Sequence, residues 1–133
     1  MVEINNKTRT KVDIRLIYRV TEEFLKHYKI KQKNLSIALV GDVLIRRLNK
    51  RYRRVDRVTD ILAFPGEGDD LGEIIIDWAQ IKRQALKFSG SVRDELIYIL
   101  VHGLLHLLGH EDKTVKGKSE MEKLTKAFLH KVL

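Results

Sequence analysis

The sequence predicts an α+β fold: a small mixed β-sheet of about four strands covered by about five helices, with a central helix carrying a pair of histidines. Three observations predict it. Short β-branched runs (VEINN, LSIALVGD, TDILAFP, EIIID) alternate with segments whose apolar residues recur at three- and four-residue steps. The last third of the chain is helical by the same criterion. The 133 residues are 44% hydrophobic with no long polar tract, enough for one core, so residues 1–133 are expected to form a single domain.

The elements follow in order. VEINN and the residues from Lys11 to Ile14 read as short strands around a polar turn at Asn6 to Thr8. Leu16, Ile17, Val20, Phe24, Leu25 and Tyr28 mark a helix with one apolar face. LSIALVGD (35–42) is a buried strand closed by Gly41. Asp42 is the expected N-cap of a second helix whose apolar side is Val43, Leu44 and Leu48. TDILAFP (59–65) is a strand stopped by the single proline, and GEGDDLG is a loop leading into EIIID (73–77). Asp77 with Gln80 resembles a capping box for a helix to about Phe88, with Gly90 in its C-terminal turn. Ser91, Asp94 and Glu95 open the long apolar helix VRDELIYILVHGLLHLL, and a last helix of about 118–132 carries Met121, Leu124, Phe128 and Val132 on one side.

Composition narrows the chemistry. Without cysteine, disulfides, thiolate metal sites and cysteine nucleophiles are excluded, leaving histidine nitrogen and carboxylate oxygen as metal donors. The absence of an 18-residue apolar run and of an apolar leader at the N-terminus predicts neither a membrane span nor export, hence a cytoplasmic protein. The net charge of +8 favours an anionic partner. That charge is concentrated. RRLNKRYRRVDR (46–57) holds Arg46, Arg47, Lys50, Arg51, Arg53, Arg54 and Arg57 against one acid, Asp56.

HGLLHLLGHED (102–112) is the densest chemical signal. On a helix, His102 and His106 stand about 6 Å apart along the axis on one face, within reach of one ion. Gly109 allows a sharp turn that returns a third donor to that face. Asp112 and His110 compete for this role, with Glu111 behind them, and the register H-x-x-x-H-x-x-G-x-x-(H or D) of metzincin-type zinc sites favours Asp112. Three protein ligands leave a zinc position open for water or substrate. Gly103 occupies the place where H-E-x-x-H peptidases carry a general base, which argues against peptide hydrolysis. A glycine there either opens space beside the ion or serves close helix packing.

The same stretch resembles the signature of the YbeY family of bacterial endoribonucleases, H-G-x-L-H-L-x-G-(Y or H)-D-H, matched at His102, Gly103, Leu105, His106, Leu107 and Gly109. LNKRYRRVDRVTDILAFP (48–65) is similar to a second family stretch, with Ile61 and Ala63 as mild changes, and LGEI (71–74) to a third. The departure is at the end: Asp112 stands where the family has its third histidine, and Glu111 where it has aspartate. The resemblance implies a metzincin-like fold and a zinc-dependent, single-strand-specific endoribonuclease in rRNA maturation, including the 16S rRNA 3′ end, and in ribosome quality control. It implies one zinc per chain on His102, His106 and Asp112, with Arg53 beside the scissile phosphate. Arg46, Arg47, Lys50, Arg54 and Arg57 are expected to bind RNA, and Thr59, Asp60 and Phe64 of the strand at the cleft rim are further candidates. No general base is dictated, and Glu111 is the nearest carboxylate. The alternatives are a non-catalytic rRNA-binding assembly factor with a structural metal and a zinc peptidase. Ribosomal subunits or assembly proteins are the expected partners.

Overall fold

Alternation within the strands decides on which face of the sheet each helix packs. The computed structural model describes residues 1–132, arranged as β1 (Val2–Asn6), α1 (Ile14–His27), β2 (Asn34–Val40), α2 (Asp42–Arg53), β3 (Ile61–Pro65), β4 (Asp70–Asp77), α3 (Trp78–Ala85), α4 (Val92–Leu107) and α5 (Val115–Val132). The sheet order is β1-β2-β4-β3. β1 with β2 and β2 with β4 are parallel, whereas β3 runs antiparallel to β4, with Ala63 opposite Ile74. This is the mixed four-stranded sheet and five helices that the sequence predicts.

Ile37, Leu39, Ile61, Ile74 and Ile76 face the larger core with residues of α1, α3, α4 and α5. Their neighbours Ala38, Val40, Leu62 and Ile75 point the other way and meet Ile45 of α2. Where they are covered on both faces the central strands carry apolar residues at successive positions, which is why residues 37–40 of β2 and 74–76 of β4 read as continuous runs, while Asp70 and Glu73 of β4 stay exposed. α4 is apolar on nearly all sides because it touches β3, β4, α1, α3 and α5. Among the described residues, no helix is long and apolar enough to cross a membrane.

Three local expectations need correction. Lys11 to Ile14 form no strand: Val12 enters the core and the Asp13 side chain caps α1 by accepting from the Leu16 amide at 3.0 Å. Asp42 is the first residue of α2 rather than its cap, because its carboxylate holds Arg83 at 2.7 and 3.0 Å, and the extended Gly41 takes the cap position. Val43 is 75% exposed, while Ile45 and Asn49 form the buried stripe of α2 with Leu44 and Leu48 partly covered. Some bounds also move: β4 begins at Asp70, inside the stretch read as a loop, α3 ends at Ala85 rather than Phe88, and α5 begins at Val115. The capping box does not form, because the Gln80 side chain bonds Gln84 and Arg83 while the Asp77 amide donates to the Asp60 carbonyl. The single-residue caps fall where expected. Asp77 accepts from the Ala79 amide, Ser91 accepts from the Asp94 amide, and Gly90 at φ +82° donates to the Ala85 carbonyl at 2.7 Å.

Candidate metal centre

α4 carries His102 and His106 one turn apart, their rings 4.6 Å between centroids and nearly perpendicular. The helix ends in a Schellman turn: the His110 amide donates to the Leu105 carbonyl at 3.1 Å and the Gly109 amide to the His106 carbonyl at 3.0 Å. Gly109 sits at φ +98°, a conformation that a side chain would strain. The reversal brings Asp112 back over the histidines, with Oδ2 3.2 Å from Nε2 of His102 and 3.8 Å from Nε2 of His106. One donor atom from each of the three residues lies within 4.8 Å of the others. Two ligands about 2.1 Å from a tetrahedral zinc would stand about 3.4 Å apart, so the donor set fits such an ion with small adjustments.

Second contacts favour the same reading. Nδ1 of His106 lies 2.9 Å from the His110 carbonyl, which fixes that ring and directs Nε2 into the site. His110 therefore meets the histidine pair through its backbone, and its ring is outside the donor group. Burial first, and then the neighbouring His106, lower the pKa of His102, opposed by Asp112. The neutral ring is the form that binds metal. Glu111 is exposed at the cleft edge and pairs with Lys113 at 3.4 Å.

Gly103 faces away from the donors. A methyl group there would collide with Ile61 Cδ1 of β3 and meet Ile74 Cδ1 of β4 at 3.4 Å. Of the two readings of this glycine, close packing is the one the structure bears out, and the missing side chain lets α4 press against the sheet edge that carries the cleft.

The cleft over the histidines has a volume of about 690 Å³. β3 and the preceding Thr59 and Asp60 form one rim, residues 110–113 another, and Arg53 at the end of α2 lines it. Asn49, buried in α2, donates to the Arg57 carbonyl at 2.9 Å and so ties down the turn that follows Arg53. Arg54 in that turn is left-handed, at φ +59°. Arg46, Arg47, Lys50, Arg54 and Arg57 are exposed outside the cleft lining. Two of these are engaged: Arg46 holds Asp56 at 2.9 Å and Lys50 stands 3.9 Å from it. Sequence reasoning did not single out Tyr52, Tyr98, Lys113 and Lys118, all of which line the cleft. Tyr98 was reachable from spacing alone, four residues before His102 on the same face of α4, with its ring 6.4 Å away and nearly parallel.

A family model described as Endoribonuclease YbeY matches residues 2–133. The chain belongs to the YbeY endoribonuclease family. The Endoribonuclease YbeY of Acholeplasma laidlawii is 33% identical over 133 residues, covering 98% of this chain and 96% of that relative. That of Helicobacter pylori is 32% identical over 133 residues, with 96% and 91% covered, and that of Mycoplasmopsis synoviae is 36% identical over 116 residues, with 80% and 75% covered. A solution structure of a Thermotoga maritima protein superimposes with a TM-score of 0.70 at 27% identity, covering 99% of this chain and 89% of that one. Two of the three stretches that resemble YbeY sequences, 48–65 and 102–112, supply most of the lining of the cleft. The third, LGEI, lies in β4 beside β3 and supports the rim from behind.

Proposed function

We propose that this chain is a metal-dependent endoribonuclease of the YbeY family that cuts single-stranded RNA, ribosomal RNA in particular, in the cytoplasm, acting as a single domain. The observation that carries the reading is the His102–His106–Asp112 donor group at the floor of a cleft lined by Arg53. One zinc per chain would be held by Nε2 of both histidines and an oxygen of Asp112. When bound, it supplies Lewis acidity toward a phosphate oxygen and makes water a nucleophile near neutral pH. Asp112, charged where the family signature has a histidine, lowers that acidity somewhat.

The chain's own groups do the rest. Arg53 presents a planar guanidinium that binds two phosphate oxygens and offsets charge that grows as the phosphodiester is attacked. His106 is kept in one tautomer by the His110 carbonyl, and His102 is kept neutral by burial. Asp60 and Glu111 are the cleft carboxylates outside the donor group and the candidates to accept a proton. Arg47, Arg54 and Arg57, with Arg46 and Lys50 at the edge, hold the flanking phosphates without reading sequence. A cleft rimmed by β3 and the 110–113 loop admits an unstacked strand and excludes a duplex, so single-stranded segments such as the 3′ end of 16S rRNA are the expected targets. Maturation and quality control of ribosomes, with ribosomal subunits or assembly proteins as partners, follow from that substrate.

The test is cleavage of a single-stranded rRNA fragment and of its duplex form by purified protein, alongside Arg53→Glu and His106→Ala. Cutting of the single strand alone, lost in both variants, is expected. Equal cutting by the variants would overturn the reading, and tight RNA binding without cutting would point to an assembly factor.

A further inference from the structure

A second cavity, about 610 Å³, opens on the far side of Tyr98 between α3, α4 and α5. It shares Asp60, Tyr98 and Ile99 with the metal-centre cleft, so the two adjoin at Tyr98. The geometry points to a nucleobase subsite beside the metal centre, flanked by Tyr98 and Phe88 and read by the carboxylates of Glu95 and Asp60, that prefers guanine. The inference rests on the nuclease reading above and names a substrate feature for it.

The lining contains no lysine or arginine, so a phosphate has no counter-charge there. Its polar groups are chiefly acceptors. Gln84 Nε2 donates to Glu95 at 2.9 Å and lies 3.3 Å from Asp60, which occupies both amide hydrogens, and Gln84 Oε1 accepts from Gln80 at 3.0 Å. Glu95 is only 4% exposed, and among the described residues its Oε1 accepts from no side chain. A nearly buried carboxylate with an open oxygen calls for a donor. Guanine offers adjacent N1–H and N2–H donors that match the two oxygens of one carboxylate. Uracil offers a single N3–H between two carbonyl oxygens, which the acidic wall repels. The remainder suits a flat ring: Ile97, Ile99 and Leu129 are apolar, and Phe88 is 77% exposed at the mouth. A base splayed from single-stranded RNA is recognised by such a combination of stacking surface and edge contacts. Tyr98 and His102 are one helical turn apart, so the base belongs to a nucleotide adjoining the scissile phosphate.

Two measurements test this. The first compares kcat/KM for two single-stranded RNA oligomers that differ only in guanine or uracil beside the cut. Guanine is expected to win by about fivefold or more, the lower bound for a bidentate pair, and Glu95→Gln should bring the ratio near one. The second titrates wild-type protein with GMP, UMP and spermidine while following the backbone amide signals of Gln84 and Ser89, and needs no variant to fold. GMP should move them and UMP should not, the shared phosphate cancelling. Equal cutting of both oligomers with no GMP-specific shift overturns the subsite and leaves the nuclease intact. Shifts from spermidine alone overturn it in favour of a polyamine site. If neither oligomer is cut, the nuclease reading fails and the titration alone decides the pocket.

Discussion

The backbone carbonyl of His110 lies 2.9 Å from Nδ1 of His106. A carbonyl only accepts, so the ring proton is on Nδ1 and the lone pair of Nε2 is left for the site. The Schellman turn at Gly109 creates this contact by presenting a carbonyl rather than an imidazole.

The first prediction follows directly. His106→Ala and Asp112→Ala should each lose most of the bound zinc measured after purification without chelators. His110→Ala keeps the carbonyl and should keep the metal. Loss of zinc in His110→Ala with retention in Asp112→Ala would reverse the assignment of the third donor.

Arg53 lines the cleft without touching the donor group. Arg53→Gln is therefore expected to lower kcat/KM by about 10²–10³, the usual cost of removing one oriented transition-state donor, with zinc content unchanged. A variant that lost metal in parallel would show that Arg53 supports the fold of the site instead.

Ile61 and Gly103 interlock across α4 and β3. Gly103→Ala should destabilise the protein by about 1–3 kcal/mol through overpacking. Ile61→Val, which removes the colliding Cδ1, should recover much of that loss in the double variant, read as a non-additive cycle in denaturant unfolding. Additive effects would mean that the two residues do not meet.

Asp77 is fully buried with an unpartnered Oδ2, and Arg83 reaches it only at 4.0 Å. Burial, and then the adjoining Asp42, push its carboxyl up to about 7, whereas the Arg83 guanidinium holds Asp42 down at about 2. Below about pH 4 the folded and unfolded chains both keep the Asp77 proton, so it costs nothing. As pH rises through the window from about 4 to 7, the unfolded chain releases that proton and the folded one retains it, so stability falls, and above 7 the loss is complete. Asp42 contributes in the opposite sense, with stability that disappears as pH falls from about 4 toward 2. Asp77→Asn keeps the cap on Ala79 and removes the titrating carboxyl. It should raise Tm over the wild type at pH 8 and lose that advantage near pH 4; an equal gain at both values would exclude the buried carboxyl as the cause.

RNA affinity should fall by about 10³ or more between roughly 50 and 200 mM salt if six or more phosphates are held. Since Arg46 and Lys50 already face Asp56, Asp56→Asn should tighten binding at low salt. A flat salt response would detach the basic patch from RNA.

Much of the architecture was open to reading along the chain, because strands covered on both faces and helices with one apolar stripe leave periodic marks. The exceptions have local causes. Lys11 to Ile14 resemble a strand in composition, yet Asp13 finds a better use as the cap of α1. Asp42 has the chemistry of a cap, but Arg83, 41 positions later, competes for its carboxylate and wins with two hydrogen bonds. Tyr98 escaped notice because an aromatic residue in an apolar helix looks like core until the cleft beside it is seen.

By itself the sequence determined the donor types and their spacing: two imidazoles one turn apart, a glycine that permits reversal, and a carboxylate after it, with no thiol to compete. Only the tertiary structure decided which groups share a space. Whether Arg53 shares a cleft with His102, whether Gly103 serves packing or substrate, and whether Glu95 lines a cavity adjoining that cleft all depend on contacts between elements distant in the chain. Spacing fixes geometry within a helix or turn because the backbone is rigid there; across elements it is set by how buried side chains interlock, which no single segment encodes.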